Sequence, residues 1–419
     1  MKIEPGKIQI KEYNYDLPTH LIAEYPLAER DASRLLIFSE GCIEEDLFNH
    51  LPDYLPDNAT LIVNNTRVIE ARILFKKDTG GIIEIFCLEP FEESVDKAMS
   101  HTAKGRWKCF IGGASKWKSG QVLHKELIIE GEVVGFTASY IKKEADCFII
   151  EFSWISDAYT FSQILHAAGS VPLPPYIKRK ASEADEERYQ TIFAQEQGSV
   201  AAPTAALHFT EGVFAGLKSK NIHPIYLTLH VGAGTFKPVK SQTIDGHQMH
   251  AEQFHVSLQT LQELILNDTI ISVGTTSLRT LESLYWIGIK VKQNLPDPFV
   301  LHQWEAYELE ANFSYKESIS YLINHLIHEG LTKLFCQTSL LIIPGYQFKS
   351  ASALITNFHQ PQSTLLLLVS AFIGEDWKNI YNYALSNNFR FLSYGDSSLL
   401  WRRPSPDLQE GKGQLSQQK

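Results

Sequence analysis

The chain has no apolar run of the roughly 20 residues that cross a bilayer. Its longest, Ser363 to Phe372, suits a buried strand or helix. The N-terminus Met1-Lys-Ile-Glu-Pro5 lacks the apolar centre of a signal peptide. Cysteine is scarce: Cys42, Cys87, Cys109, Cys147 and Cys336 are odd in number, dispersed, and include no C-x-x-C pair. That argues against a disulfide framework and a structural zinc site, and fits a reducing cytoplasm with no membrane partner. Positive charge is in deficit. The formal net charge is −10, which taken alone opposes nucleic-acid binding, because phosphates require positive potential. Net charge does not fix local distribution, however. What is present is ordinary for a globular protein: 419 residues, 44% hydrophobic and 21% charged, enough for a large core and two domains.

Helix-like and strand-like runs alternate through most of the chain. Leu35-Leu-Ile-Phe38, Leu61-Ile-Val63, Tyr226 to His230 and Ile270 to Val273 read as strands; Phe161 to Ala168 and Ser257 to Asn267 read as helices. Residues 72–152 differ. Ile82 to Phe86, Glu126 to Ile129, Glu132 to Val134 and Cys147 to Phe152 are short β-prone runs separated by glycines and lysines. Evenly spaced short strands suggest a small β-barrel or sandwich. The expected fold is α/β: a larger discontinuous domain over 1–71 and 153–403, an inserted β-barrel domain over 72–152, and a disordered polar tail over 404–419. There is no internal repeat.

Six polar loops lie between apolar runs. Gly198 to Thr210 crowds small residues around Pro203, Thr204 and His208. It reads as a ligand-hugging loop with His208 as acid or base, or as a tight connection with a structural histidine. His230-Val-Gly-Ala-Gly-Thr-Phe236 carries Gly232 and Gly234 but lacks the third glycine of a dinucleotide fingerprint, so a nicotinamide site is rejected. His247, His250 and Glu252 invite a metal reading, although the order is not H-E-x-x-H; a polar loop edge explains them equally well. Gly274-Thr275-Thr276-Ser277 opens a helix whose first amides suit an anion, or whose hydroxyls are simple caps; Arg279 and Glu282 follow at helical spacing. Asn357 and His359 sit in the next loop, and Tyr394 and Asp396 in the last. Arg67 ends a buried strand. From His101 to Lys125, Lys104, Arg106, Lys108, Lys116 and Lys118 occur without an acid among Trp107, Phe110 and Trp117, a pattern suited to single-stranded nucleic acid or to a solvated hairpin. So many loops of this kind suggest one shared site.

Several motifs together resemble the S-adenosylmethionine:tRNA ribosyltransferase-isomerase family of queuosine biosynthesis. They include Arg30-Asp-Ala-Ser-Arg34, Asn65-Thr-Arg-Val-Ile69, Pro172 to Ile177, Arg188-Tyr-Gln190, Gly198 to Thr210, Leu229 to Phe236, His247 to Glu252, Gly274 to Ser277, Pro344-Gly-Tyr346, Ile355 to His359 and Tyr394-Gly-Asp396. The resemblance implies an α/β domain with an inserted β-barrel. It also implies transfer and isomerisation of the ribosyl moiety of S-adenosylmethionine onto 7-aminomethyl-7-deazaguanine in a tRNA anticodon, giving epoxyqueuosine and releasing adenine and methionine. S-adenosylmethionine is then a co-substrate, no metal is needed, and a monomer is expected. Such chemistry needs a base for the C5′ proton, offered by His208 or His230. The amine needs an orienting carboxylate, Asp396 or Glu252, and departing adenine needs a donor such as Arg67. Arg279 or the amides after Gly274 suit the methionine carboxylate. Pro203, Thr204, Gly232, Gly234, Thr275, Thr276, Asn357, His359 and Tyr394 complete the binding set, and Arg179 joins the basic patch as an RNA contact.

The chain departs from the family pattern in a longer stretch between Leu284 and Pro344, in a short barrel segment, and in Ala206 where glycine is usual. An S-adenosylmethionine enzyme with another acceptor, or a non-catalytic RNA-binding protein, are the alternatives.

Overall fold

The computed structural model describes residues 4–77, 79–118, 120–144, 147–232, 234, 239, 241–310 and 312–402. The polar tail, and Ala233, Thr235 and Phe236 of the glycine motif, lie outside the described residues.

A ten-stranded sheet organises the larger part of the molecule. Its order is Val300–Leu301, Lys333–Thr338, Glu252–Ser257, Pro224–Leu229, Thr60–Asn64, Ile270–Val273, Ala353–Asn357, Ser397–Trp401, Arg34–Ser39 and Cys42–Leu47. The central four, from Pro224–Leu229 to Ala353–Asn357, run parallel. They are nearly continuous apolar runs because both faces are covered. Leu61 and Val63 point into one core, with Phe209, Val213 and Leu217 of the helix Glu211–Ser219 and the turn before it. Ile62 points to the opposite core, beneath the helices Thr275–Lys292, Tyr315–Glu329 and Thr364–Ile373. The run beginning at Ser363 is thus a helix, and Ser363 caps it by accepting from the Leu366 amide at 3.2 Å.

The second sheet is antiparallel and has seven strands: Gly169–Ser170, Arg72–Lys76, Ile82–Pro90, Lys104–Gly112, Phe148–Trp154, Glu132–Lys143 and Val122–Ile129. It curls until Arg72–Lys76 packs against Val122–Ile129. No ladder among the described residues joins those two strands, so this is an open, curled sheet where a closed barrel was expected. Its concave face holds Phe75, Trp107, Phe136, Phe152 and Phe161. The sheet continues past residue 152, because helix Phe161–Ala168 leads into Gly169–Ser170, which pairs with Arg72 and Ile73. Gly169 is needed for closeness: a Cβ there would overlap the Glu70 carbonyl.

The extra stretch before Pro344 builds the edge of the large sheet. Helix Tyr315–Glu329 lies so close to Thr275–Lys292 that a Cβ on Gly288 would overlap the backbone of Ser318. Buried Lys290 ties the connection down through Glu305 and the Val300 carbonyl, each at 2.6 Å.

Candidate active site

The four central parallel strands end on one side of the sheet, where open α/β sheets bind ligands. Their last residues lead directly into three of the loops singled out above, Leu229 into His230–Gly232, Val273 into Gly274–Thr276 and Asn357 into Phe358–His359, and Asn64 leads into the segment that carries Arg67. Beside the ends of three of these strands, at Leu229, Val273 and Asn357, opens a cleft. Pro203, Thr204, Gly274, Thr275, Thr276, Asn357, His359, Ser363 and Ser393 line it. Gly274 has φ = +87°, a conformation that favours glycine, and it starts the helix that carries both threonines. Four segments far apart in sequence therefore converge here.

A chain of hydrogen bonds runs along one wall. Asn357 accepts from the Thr204 hydroxyl at 3.0 Å and donates through Nδ2 to His208 Nε2 at 3.1 Å. The acceptor role of Nε2 places the proton on Nδ1, which donates to Ser33 Oγ at 2.9 Å. Burial pushes the His208 pKa down to about 4, so the ring is neutral near pH 7. His359, on the cleft wall and 2.9 Å from Thr356 Oγ1, is pushed down to about 3 by the same cause.

A side chamber opens beyond Thr275 and Thr276. Met249, Glu252, Arg279, Leu340, Leu365 and Leu368 surround it. Arg279 is ion-paired with Glu252, while its Nε is buried without a hydrogen-bond partner. Desolvation lowers its pKa to about 10. Glu252 also accepts from the Gly232 amide at 3.0 Å, which joins the glycine loop to this pair. The extra stretch reaches the chamber as well. Gln303 accepts from the Met249 amide at 2.9 Å and donates to the His247 carbonyl at 2.7 Å. Gly234 packs flat against His250, where a Cβ would come within 2.6 Å of the ring.

Other expected site residues stand elsewhere. His230 is buried beneath the cleft floor, with Nε2 3.7 Å from Asp96 and its ring beside His255; Val231, its neighbour, lines the cleft instead. Among the described residues, Asp96, His230 and His255 form the group that could hold a metal ion; His247, His250 and Glu252 do not gather into one. Arg67 is exposed on the short strand Thr66–Val68, outside the cleft. Tyr394 donates to Asp185 at 2.8 Å, and Asp396 accepts from the Arg34 and Arg390 amides and from the Arg390 side chain, so both are occupied within the fold. In the basic segment, Arg106 pairs with Glu151 at 2.8 Å and Lys108 with Glu89 at 2.7 Å. Trp107 and Trp117 are buried, which removes them as stacking surfaces, while Lys104, Lys116 and Lys118 lie on the rim of the curled sheet. Arg179 forks onto Asp185 at 2.6 and 2.7 Å. Arg30, Ser33 and Tyr176, which lie in the family motifs, and Ser363 and Arg390 border the site without having been given a role in it.

The family described as "Queuosine biosynthesis protein" matches residues 10–400. The chain is 36% identical over 401 residues to the S-adenosylmethionine:tRNA ribosyltransferase-isomerase of Nitrosomonas europaea, covering 94% of this chain and 96% of that one. The enzyme of the same name from Natranaerobius thermophilus is 35% identical over 402 residues, covering 94% and 99%. The crystal structure of S-adenosylmethionine tRNA ribosyltransferase from Thermotoga maritima is 26% identical, covers 93% of this chain and 99% of its own, and superposes with a TM-score of 0.44. With motifs and family match both spanning nearly the whole described chain, this protein belongs to the queuosine biosynthesis protein family.

Proposed function

We propose that this protein is an S-adenosylmethionine:tRNA ribosyltransferase-isomerase that modifies a 7-aminomethyl-7-deazaguanine base in a tRNA anticodon. The observation that carries the reading is the cleft itself, built from family motifs that include the ends of three parallel strands and joined to a chamber holding Arg279 and Glu252. In this reading the adenosine part of S-adenosylmethionine occupies the main cleft. Its methionine part enters the side chamber, where the apolar walls suit the methylene chain, and Arg279 with the amides after Gly274 suits the carboxylate.

The sulfonium carbon C5′ must lose a proton to a base that is neutral at working pH. His359 on the wall and His208, one hydrogen bond behind Asn357, are both neutral imidazoles beside the cleft. The carbanion, stabilised by the adjacent sulfonium, passes its electron pair into the ribose, so that adenine leaves with the glycosidic pair and takes up a proton; the acceptor amine forms its bond to the ribose and gives up a proton, and methionine leaves with the C5′–sulfur pair as a neutral thioether. The curled antiparallel sheet is the inserted domain in this account, and the acceptor places the reaction in the cytoplasm. The reading calls for no metal.

An altered acceptor gains little support from the departures. Ala206 is buried in the turn Thr204–His208, away from the lining of the cleft. The extra stretch supports the chamber through Gln303 and leaves the cleft mouth alone. Incubation with precursor-bearing tRNA and S-adenosylmethionine, followed by nucleoside mass measurement, tests the proposal. Epoxyqueuosine with equimolar adenine supports it; recovery of the precursor nucleoside unchanged, with no adenine released, overturns it.

A further inference from the structure

A second, smaller hollow lies behind the Ser33–His208–Asn357 chain and shares Ser393 with the main cleft. Three guanidiniums face it: Arg30, Arg188 and Arg390. This is a dense positive cluster in a chain whose net charge is −10. Arg30 donates to the carbonyls of Gln190 at 2.6 Å and Glu187 at 2.9 Å. Arg188 donates to the carbonyls of Ala28 at 3.1 Å and Leu27 at 2.5 Å. Carbonyls hold the two forks in place without cancelling their charge. Neither arginine forms an ion pair with a carboxylate among the described residues, whereas Arg390 reaches Asp396 at 3.3 Å. Burial first, and Arg188 after it, lower the pKa of Arg30, against smaller opposing influences of Glu187 and Tyr394. Like charges held this close are unfavourable until an anion joins them.

The rim adds a second observation. Tyr25, next to the lining residue Pro26, is 62% exposed, and the Arg179 guanidinium sits 4.2 Å from its ring centre. An exposed aromatic face beside fixed guanidiniums is the combination that grips single-stranded nucleic acid, by stacking and by charge. Pre-set arginine forks match the geometry of a phosphate. The carboxylate of S-adenosylmethionine already has Arg279, in the side chamber on the far side of Thr275 and Thr276.

We infer that Arg30, Arg188 and Arg390 hold a phosphodiester of the tRNA strand beside the reacting base, while Tyr25 stacks on a neighbouring base. The inference rests on the proposed function. Because the hollow and the cleft share Ser393, a phosphate held here delivers the adjoining nucleotide into the cleft.

The test uses the full chain and an anticodon stem-loop RNA carrying the precursor base, with affinity measured across a salt series and KM for S-adenosylmethionine measured in parallel. Arg188→Gln weakens RNA binding about tenfold and reduces the slope of log affinity against log salt by about one, with KM for S-adenosylmethionine unchanged. Tyr25→Ala, a surface change that does not threaten the fold, weakens RNA binding at least about fivefold. Wild-type RNA affinity and salt slope in both variants overturn the inference. So does a raised KM for S-adenosylmethionine with unchanged RNA affinity in Arg188→Gln, which would give the hollow to the co-substrate. RNA binding is read without turnover. A wild-type protein that binds RNA through these residues but forms no epoxyqueuosine therefore refutes the proposed function alone, and an active enzyme with unaltered variants refutes the inference alone.

Discussion

Replacing His208 by glutamine isolates a pH effect that the buried ring imposes on the whole fold. In the native state the imidazole accepts from Asn357, donates to Ser33 and has a pKa of about 4; in the unfolded chain it returns to about 6.5. The folded value is the lower one, so below pH 6.5 the unfolded chain binds the extra proton and stability falls with falling pH. The loss begins near pH 6.5 and is complete below about 4. Each pKa unit is worth about 1.4 kcal/mol, so the total approaches ~3 kcal/mol, of which about 2 kcal/mol has gone by pH 5. Glutamine retains hydrogen-bonding capacity toward both partners and cannot titrate. Urea unfolding of wild type and His208→Gln from pH 7.5 to 4.5 should give curves that converge by about 2 kcal/mol at pH 5, whatever their offset at neutral pH. His359 contributes the same sign in both proteins and cancels from the difference. Parallel curves would mean that His208 ionises normally in the native state, and the neutral-imidazole account of the cleft wall would fall with it.

Arg279→Met leaves Glu252 buried without its partner and should cost about 3 kcal/mol in urea unfolding; adding Glu252→Gln should restore most of that, while KM for S-adenosylmethionine stays raised in both variants. Gln303→Leu removes the two bonds that hold the His247–Met249 backbone and should raise that KM about fivefold, ~1 kcal/mol, with kcat little changed, as steady-state kinetics would reveal. Gly288→Ala forces a methyl into the Ser318 backbone and should cost about 2 kcal/mol, seen as a lower Tm by calorimetry.

The sequence made the inner strands of the large sheet legible because these are apolar runs that must face core on both sides, unlike the edge strand Cys42–Leu47, which is largely exposed. Leu35 to Phe38, Leu61 to Val63 and Ile270 to Val273 all fall inside observed strands, with boundaries within a residue or two. The cleft was legible for a related reason: Pro203, Thr204, Thr275, Thr276, Asn357 and His359 sit in loops that directly follow or adjoin such strands. Curvature was not legible. Whether seven short strands close into a barrel or stop as a curled sheet depends on long-range pairing between the first and last of them, which no local pattern encodes.

Direction was the other failure. His230 and Val231 are adjacent in one motif, yet only Val231 faces the cleft; His230 turns toward Asp96, a residue of the curled-sheet half of the molecule. A motif records that a residue is near a site, and the backbone decides which side it serves. The arginines reveal the limit more sharply. Arg30 is fixed by carbonyls of residues 187 and 190, and Arg188 by carbonyls of residues 27 and 28, so each fork is set by the segment that carries the other. Carbonyl acceptors belong to every residue and leave no side-chain signature to pair in the sequence. Their reciprocity is nevertheless what holds two positive charges together ahead of any anion: neither arginine can turn away without breaking the connection that positions its neighbour.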